Sequence, residues 1–170
     1  MDTLQTIFAR RSVRRYKTDP IPNDELKQIL EAGRQAPSAA NRQSWHFVVV
    51  RSQEQKERVA QACNGQMWMA DADSIIVAAG LPAVSSKWYP VDVSISMQNM
   101  VMAAYSLGYG TCWIGAFDPE QVRAVCELPD DMPVVACTPL GVTDVSPAAR
   151  SRKDWDEVFS AESYGKPLDL

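Results

Sequence analysis

Between residues 8 and 17 the chain reads FARRSVRRYK, which groups Arg10, Arg11, Arg14, Arg15 and Lys17 around Ser12. Guanidinium forks, a hydroxyl and nearby backbone N–H groups are the donors that the oxygens of a phosphate monoester accept from, and this segment supplies all three. A second basic run, ARSRK, offers Arg150, Arg152 and Lys153 to the same anion. The plainer alternative is a solvated basic surface that recruits an acidic protein partner without catalysis.

Two uncharged segments carry a different chemistry. APSAANRQSW, residues 36–45, places Pro37, Ser38, Ala39, Asn41 and Gln43 beside Trp45, a mixture that suits a flat heterocycle with a polar edge; a simple turn-rich loop would use the same residues. In LGYGTCWIGAF, residues 107–117, Gly110 and Gly115 have P-loop spacing, but Ala116 stands where the phosphate-binding lysine belongs, and the dinucleotide G-x-G-x-x-G is out of register. What remains is a strand-to-loop segment whose small residues let backbone N–H groups approach a flat ligand, or a crowded turn.

Hydrolytic chemistry finds little support. The single histidine, His46, enters the apolar run HFVVV, where a structural imidazole is expected, and no G-x-S-x-G elbow is present. Cys63, Cys112, Cys126 and Cys137 have no paired spacing, so no metal site is expected and the thiols are assigned to the core of a protein in a reducing compartment. The net charge of -4, from 17 Lys+Arg and 21 Asp+Glu, argues against a general nucleic-acid or membrane surface. No apolar run approaches the ~18 residues of a membrane span and no secretory leader is recognisable, so a cytoplasmic protein is expected.

These segments must be held by a frame of helices and strands. With 170 residues, one domain is expected. A short helix over 2–9 would carry Leu4, Ile7 and Phe8 on one side. A second starts at Pro22 with Asn23 or Asp24, turns Leu26, Ile29 and Leu30 inward and ends between Gly33 and Pro37. HFVVV and SIIVAAG are predicted buried strands around a helix begun by Ser52. Residues 91–107 are too long and apolar for a strand and predict a buried helix stopped by Gly108. A short helix from Asp118 and a fourth strand region, MPVVACTPLGV, interrupted or frayed by Pro139, complete a helix-rich α/β or α+β pattern. Residues 146–170 have little periodicity; Trp155, Phe159 and Tyr164 imply packing on the domain itself or on a second subunit.

RRSVRRY (10–16), APSAANRQSW (36–45), LGYGTCWIGAF (107–117) and RKDWDEV (152–158), in this order and spacing, resemble segments of the nitroreductase family of FMN-dependent oxidoreductases. The resemblance covers nearly the whole chain and implies a compact member: an α+β fold with a mostly antiparallel central sheet, an intertwined homodimer, and FMN at the subunit interface. By that resemblance Arg10, Arg11, Ser12 and Arg14 would hold the FMN phosphate and ribityl end, with Arg152 and Lys153 completing the site. Pro37, Ser38, Ala39 and Asn41 would come from the other subunit, with Gln43 close by. Trp113, Ile114, Gly115 and Ala116 would form the segment facing flavin N5, with the backbone N–H of Gly115 or Ala116 as donor, and Asn64 or Gln66 would meet the pyrimidine edge. The implied reaction is ping-pong transfer from NAD(P)H through FMN to a nitroaromatic or quinone-like acceptor, with Trp68, Trp88 and Tyr89 as candidate pocket walls. Dehalogenation or oxygen-dependent chemistry on a bound flavin is the alternative within the same class.

Overall fold

The computed structural model describes residues 2–170. In chain order its elements are α1 (Thr3–Ala9), α2 (Asn23–Arg34), β1 (Trp45–Val50), α3 (Gln53–Ala62), β2 (Ser74–Gly80), α4 (Tyr89–Ser106), β3 (Gly110–Thr111), α5 (Pro119–Val125), β4 (Val134–Gly141) and α6 (Trp155–Val158). Short 3-10 turns occupy Ala39–Asn41 and Met67–Asp71. The strands form one antiparallel sheet in the order β1-β2-β4-β3. This is an α+β fold with a central antiparallel sheet flanked by helices.

β2 explains the layering. Every residue of SIIVAAG is buried, so helices must cover both faces of this strand. Its alternation divides the core: Ile75, Val77 and Ala79 pack with Val59 and Val122 from α3 and α5, while Ile76 packs on the opposite face with Ile29 of α2 and Met100 of α4. Gly33 allows α2 to close on α4, since a Cβ there would lie 2.6 Å from Met100 Cγ. Ser96 Oγ donates to Gly33 O at 2.8 Å and locks the crossing.

Three expectations are adjusted by these contacts. β1 is an edge strand of intermediate burial, and His46 is exposed, so it is not a core imidazole. α4 begins two residues earlier than expected because Pro90 sits comfortably in the first turn, where no intrahelical N–H is needed. β4 runs unbroken through Pro139; what the proline interrupts is the neighbouring ladder. Cys137 and Ile114 exchange both backbone hydrogen bonds, so alternation aims the position-139 nitrogen at Cys112, where proline has no N–H to give. β3 accordingly stops at Thr111, and Ile114 returns as an isolated bridge in the same register.

Among the described residues, no helix is long and apolar enough to cross a membrane. Several apolar side chains have no cover in the single chain: Leu4, Ile7 and Phe8 on α1, Val91 and Ile95 on α4, and Trp155, Val158 and Phe159 in the tail. Trp155 and Phe159 pack on each other, ring centroids 4.3 Å apart.

Candidate functional site

The basic cluster is presented by the exit of α1. Asp2 caps the helix with a reciprocal capping box with Gln5, and the chain leaves at Arg10 in an extended conformation. Val13 N–H then donates to Thr111 O at 2.9 Å, Ser12 bridges Thr111 in parallel, and Lys17 N–H donates to Val142 O at 2.9 Å. The segment therefore lies along the β3 edge of the sheet. Gly110 makes this approach possible: a Cβ would sit 3.0 Å from Val13 Cβ.

A cleft of about 1020 Å³ opens here, lined by Arg10, Arg11, Ser12 and Arg14 from the α1 exit, by residues 147–150 and Arg152 of the tail, and by Gln98 and Met102 of α4. Its size is at the top of the ~300–1,000 Å³ range of small-molecule pockets. Arg15 is drawn away to Asp144 at 3.4 Å, and Lys17 reaches the same carboxylate at 3.8 Å. Arg10, Arg11, Arg14, Arg150 and Arg152 have no carboxylate partner among the described residues. Arg11 instead donates to the carbonyl oxygens of Phe8 (2.7 Å) and Arg10 (2.9 Å), which fixes its fork at the rim. Five uncompensated guanidinium groups around one concavity are costly in self-repulsion and suited to a polyoxygen anion. Beneath them, burial pushes the Cys112 thiol up, while Arg14, a hydrogen bond with Ser12, and Arg10 pull it back. Lys153 is exposed and is not on the cleft wall.

The 113–116 segment adjoins this cleft through Gln98, whose Oε1 accepts from Trp113 Nε1 at 3.1 Å. Ile114 is clamped to Cys137, at 2.8 and 3.1 Å, and Gly115 and Ala116 then emerge exposed. Neither of their backbone N–H groups has an acceptor among the described residues. Nothing lies within 4 Å of a Cβ built on Gly115, so this side of the loop is open. Gln66 Nε2 donates to Cys63 O (2.9 Å) and Ala116 O (3.1 Å), bringing Gln66 to the segment. Asn64 instead takes the left-handed turn after α3, φ 56°, next to Gly65 at φ 70°.

The 37–43 loop does not line the cleft. It is tied near the start of α4, where Asp92 Oδ1 accepts from Ala39 N–H (3.0 Å) and Asp92 Oδ2 from the Ser44 hydroxyl (2.7 Å). Along the helix, Asp92 lies roughly 9 Å from Gln98 and 15 Å from Met102. Ala40, Asn41 and Gln43 have φ of 51°, 53° and 53°. Non-glycine residues in this region cost about 1–3 kcal/mol each, least for asparagine, and persist where their surroundings hold them. Ser38 Oγ contributes by accepting from Gln43 N–H at 2.9 Å, and Pro37 precedes it on the exposed approach. Of the aromatic wall candidates, Trp68 belongs to the interior, stacked on Tyr16 with centroids 6.3 Å apart. Tyr89 covers Gly80, where a Cβ would meet its ring at 2.0 Å, and Trp88 is exposed. Gln98, Met102 and Asp92 were not signalled by any motif, and Ser44 was not singled out although it lies inside APSAANRQSW. Asp92 alone left a trace, as the single carboxylate in the otherwise uncharged VDVSISMQNMVMAAYS.

Residues 7–81 and 63–142 match the Nitroreductase family. The chain belongs to the nitroreductase family. A relative from Methanothermobacter thermautotrophicus is 32% identical over 165 residues, covering 93% of this chain and 86% of its own, and its name pairs NADH dehydrogenase with NAD(P)H nitroreductase. A solved nitroreductase-family protein from Clostridium novyi NT is 33% identical, with TM-score 0.80 and coverage of 98% of this chain and 96% of the other. The NADPH:FMN oxidoreductase from Vibrio harveyi, solved in complex with NAD+, is 26% identical with TM-score 0.89, covering 98% of this chain and 79% of its own. The fold and the order of the segments thus place this nitroreductase-family chain among oxidoreductases.

Proposed function

We propose that this protein is an FMN-dependent oxidoreductase that uses NAD(P)H to reduce nitroaromatic or quinone-like acceptors. The observation that carries the reading is the cleft in which five arginines without carboxylate partners surround Ser12, in a chain of the nitroreductase family. Donor types and cleft size fit the phosphate and ribityl chain of FMN. When bound, FMN would supply the redox chemistry that couples oxidation of NAD(P)H to reduction of the acceptor in ping-pong order.

The protein's own part is binding and orientation. Arg10, Arg11, Ser12 and Arg14 would hold the phosphate from the α1 side, and Arg152, with Arg150 beside it, from the tail. Backbone N–H groups of Gly115 and Ala116, without an acceptor among the described residues, are offered to the flavin's N5 edge, where preorganised donors favour one hydrogen-bonding state over another. Gln66, held against Ala116, is better placed than Asn64 for the pyrimidine edge. No protein acid or base is required by this scheme, which accommodates a chain whose one histidine is exposed at a sheet edge.

The second protomer enters because the 37–43 loop lies apart from the cleft on its own chain. A homodimer would bring the loop of a second copy, with Pro37, Ser38, Ala39, Asn41 and Gln43, to the flavin. It would also cover Leu4, Ile7, Phe8, Val91 and Ile95, together with a groove of about 570 Å³ along α4. Titration of the purified protein with FMN, followed by steady-state turnover with NADH or NADPH against a nitroaromatic compound and a quinone, tests the reading. Stoichiometric FMN uptake and parallel double-reciprocal lines are expected; failure to take up FMN overturns it.

A further inference from the structure

Asp92 is a buried carboxylate, 1% exposed, in the first turn of α4, and it contributes nothing to the basic cleft. Both of its oxygens are spent on one short loop: Oδ1 holds the Ala39 N–H and Oδ2 holds the hydroxyl of Ser44, which is itself fully buried. The two contacts clamp the beginning and the end of a stretch in which Ala40, Asn41 and Gln43 are all left-handed and exposed. Such a conformation does not maintain itself; something rigid must impose it. α4 is that rigid element, with Val93, Met97, Met100 and Val101 fully or almost fully buried beneath it, and the positive end of its dipole favours an anion at this position. The remaining bonds of the loop are mostly internal, from Gln43 N–H to Ser38 Oγ, from Asn41 N–H to Ser38 O and from Trp45 N–H to Gln43 O, with a further tie at its end from Leu81 N–H to Ser44 O.

From this geometry we infer that Asp92 is a positioning residue that presets the 37–43 loop for the isoalloxazine part of the flavin, before any cofactor arrives. The inference rests on the flavin reading above and adds to it a residue that touches neither phosphate nor ring. Its consequence is specific. A residue acting through the ring-facing loop governs FMN and riboflavin equally, whereas a residue of the arginine cradle governs FMN alone, because riboflavin has no phosphate. An alanine at 92 removes both acceptors at once, whereas an asparagine can keep both contacts, its Oδ1 accepting from Ala39 N–H and its NH₂ donating to Ser44 Oγ.

The test compares wild type, Asp92→Ala and Ser44→Ala in the 170-residue chain. Dissociation constants for FMN and for riboflavin are read by flavin fluorescence, and exchange of the Ala39 amide in the flavin-free protein is read by NMR. Asp92→Ala is expected to weaken both flavins about tenfold, leaving their ratio unchanged, and to speed Ala39 exchange by a similar factor. Ser44→Ala keeps the Ala39 contact and is expected to weaken both flavins equally but less. Unchanged affinities in folded Asp92→Ala, or a loss confined to FMN, overturn the inference. Should Asp92→Ala not fold, unchanged riboflavin affinity in Ser44→Ala overturns it instead. If wild type takes up neither flavin, the functional reading fails; Ala39 exchange in the same variants still decides whether Asp92 presets the loop.

Discussion

Arg10→Ala separates phosphate recognition from every other contribution to cofactor binding. Arg10 is half-buried on the cleft wall, has no carboxylate partner, and its backbone N–H serves only to close α1 against Thr6 O at 3.0 Å. Removing its side chain therefore breaks no ion pair among the described residues, and stability should change by no more than about 0.5 kcal/mol. A charge-assisted hydrogen bond contributes roughly 1.5–3 kcal/mol. Four other guanidinium groups stay in the cleft and water reaches it, so the low end applies, about 1.5 kcal/mol, or a roughly tenfold rise in the FMN dissociation constant. Riboflavin affinity should move by less than about twofold, because it lacks the group that Arg10 holds. Titration of flavin-free wild type and variant with each flavin, at fixed salt, gives the ratio directly. Equal losses for the two flavins, or an unchanged FMN constant, would refute the assignment of this cradle to the phosphate.

Light scattering should give about twice 18.8 kDa for the full chain; truncation after Arg152, which removes Trp155, Val158 and Phe159, should yield a monomer that has lost flavin, and a truncated dimer that keeps its flavin would contradict the tail's role. Gly80→Ala should lower stability by about 1–3 kcal/mol in urea melts, because its methyl group collides with the Tyr89 ring, and an unchanged midpoint would show that Tyr89 moves aside freely. Burial, followed by its hydrogen bond to Glu25, pushes the Tyr109 hydroxyl up to about 12. A raised value favours the neutral phenol in the folded state, so its contribution is complete below the unfolded value near 10 and is lost as pH climbs toward 12. Wild type should therefore lose more stability than Tyr109→Phe between pH 9.5 and 11.5, as read by urea midpoints, and parallel losses would exclude this link.

Much of the frame was legible because its signals are local. β2 is an unbroken buried run, α4 ends at Ser106 just before Gly108 with φ 93°, and α5 starts from Asp118, whose carboxyl accepts from Glu120 N–H and Gln121 N–H at 3.0 and 3.1 Å. The basic cluster was legible for the same reason, since its four cleft-lining members lie within five positions of one another. What the sequence did not disclose depends on distant partners. β1 lies at an edge because β4 takes the other side of β2, and HFVVV alone cannot report that. Arg15 looks equivalent to Arg14 in sequence, yet Asp144, 129 positions away, draws it out of the cleft. Asp92 and Ala39, 53 positions apart, meet only after α4 has packed against the sheet.

Anaerobic stopped-flow mixing of the FMN-loaded protein with NADH, and separately with NADPH, bears most directly on the claim that this fold is an NAD(P)H-dependent reductase. The expected result is bleaching of the oxidised flavin band by at least one donor, with recovery of the band when a nitroaromatic compound or a quinone follows. A protein that holds FMN stoichiometrically and is bleached by neither donor would contradict it.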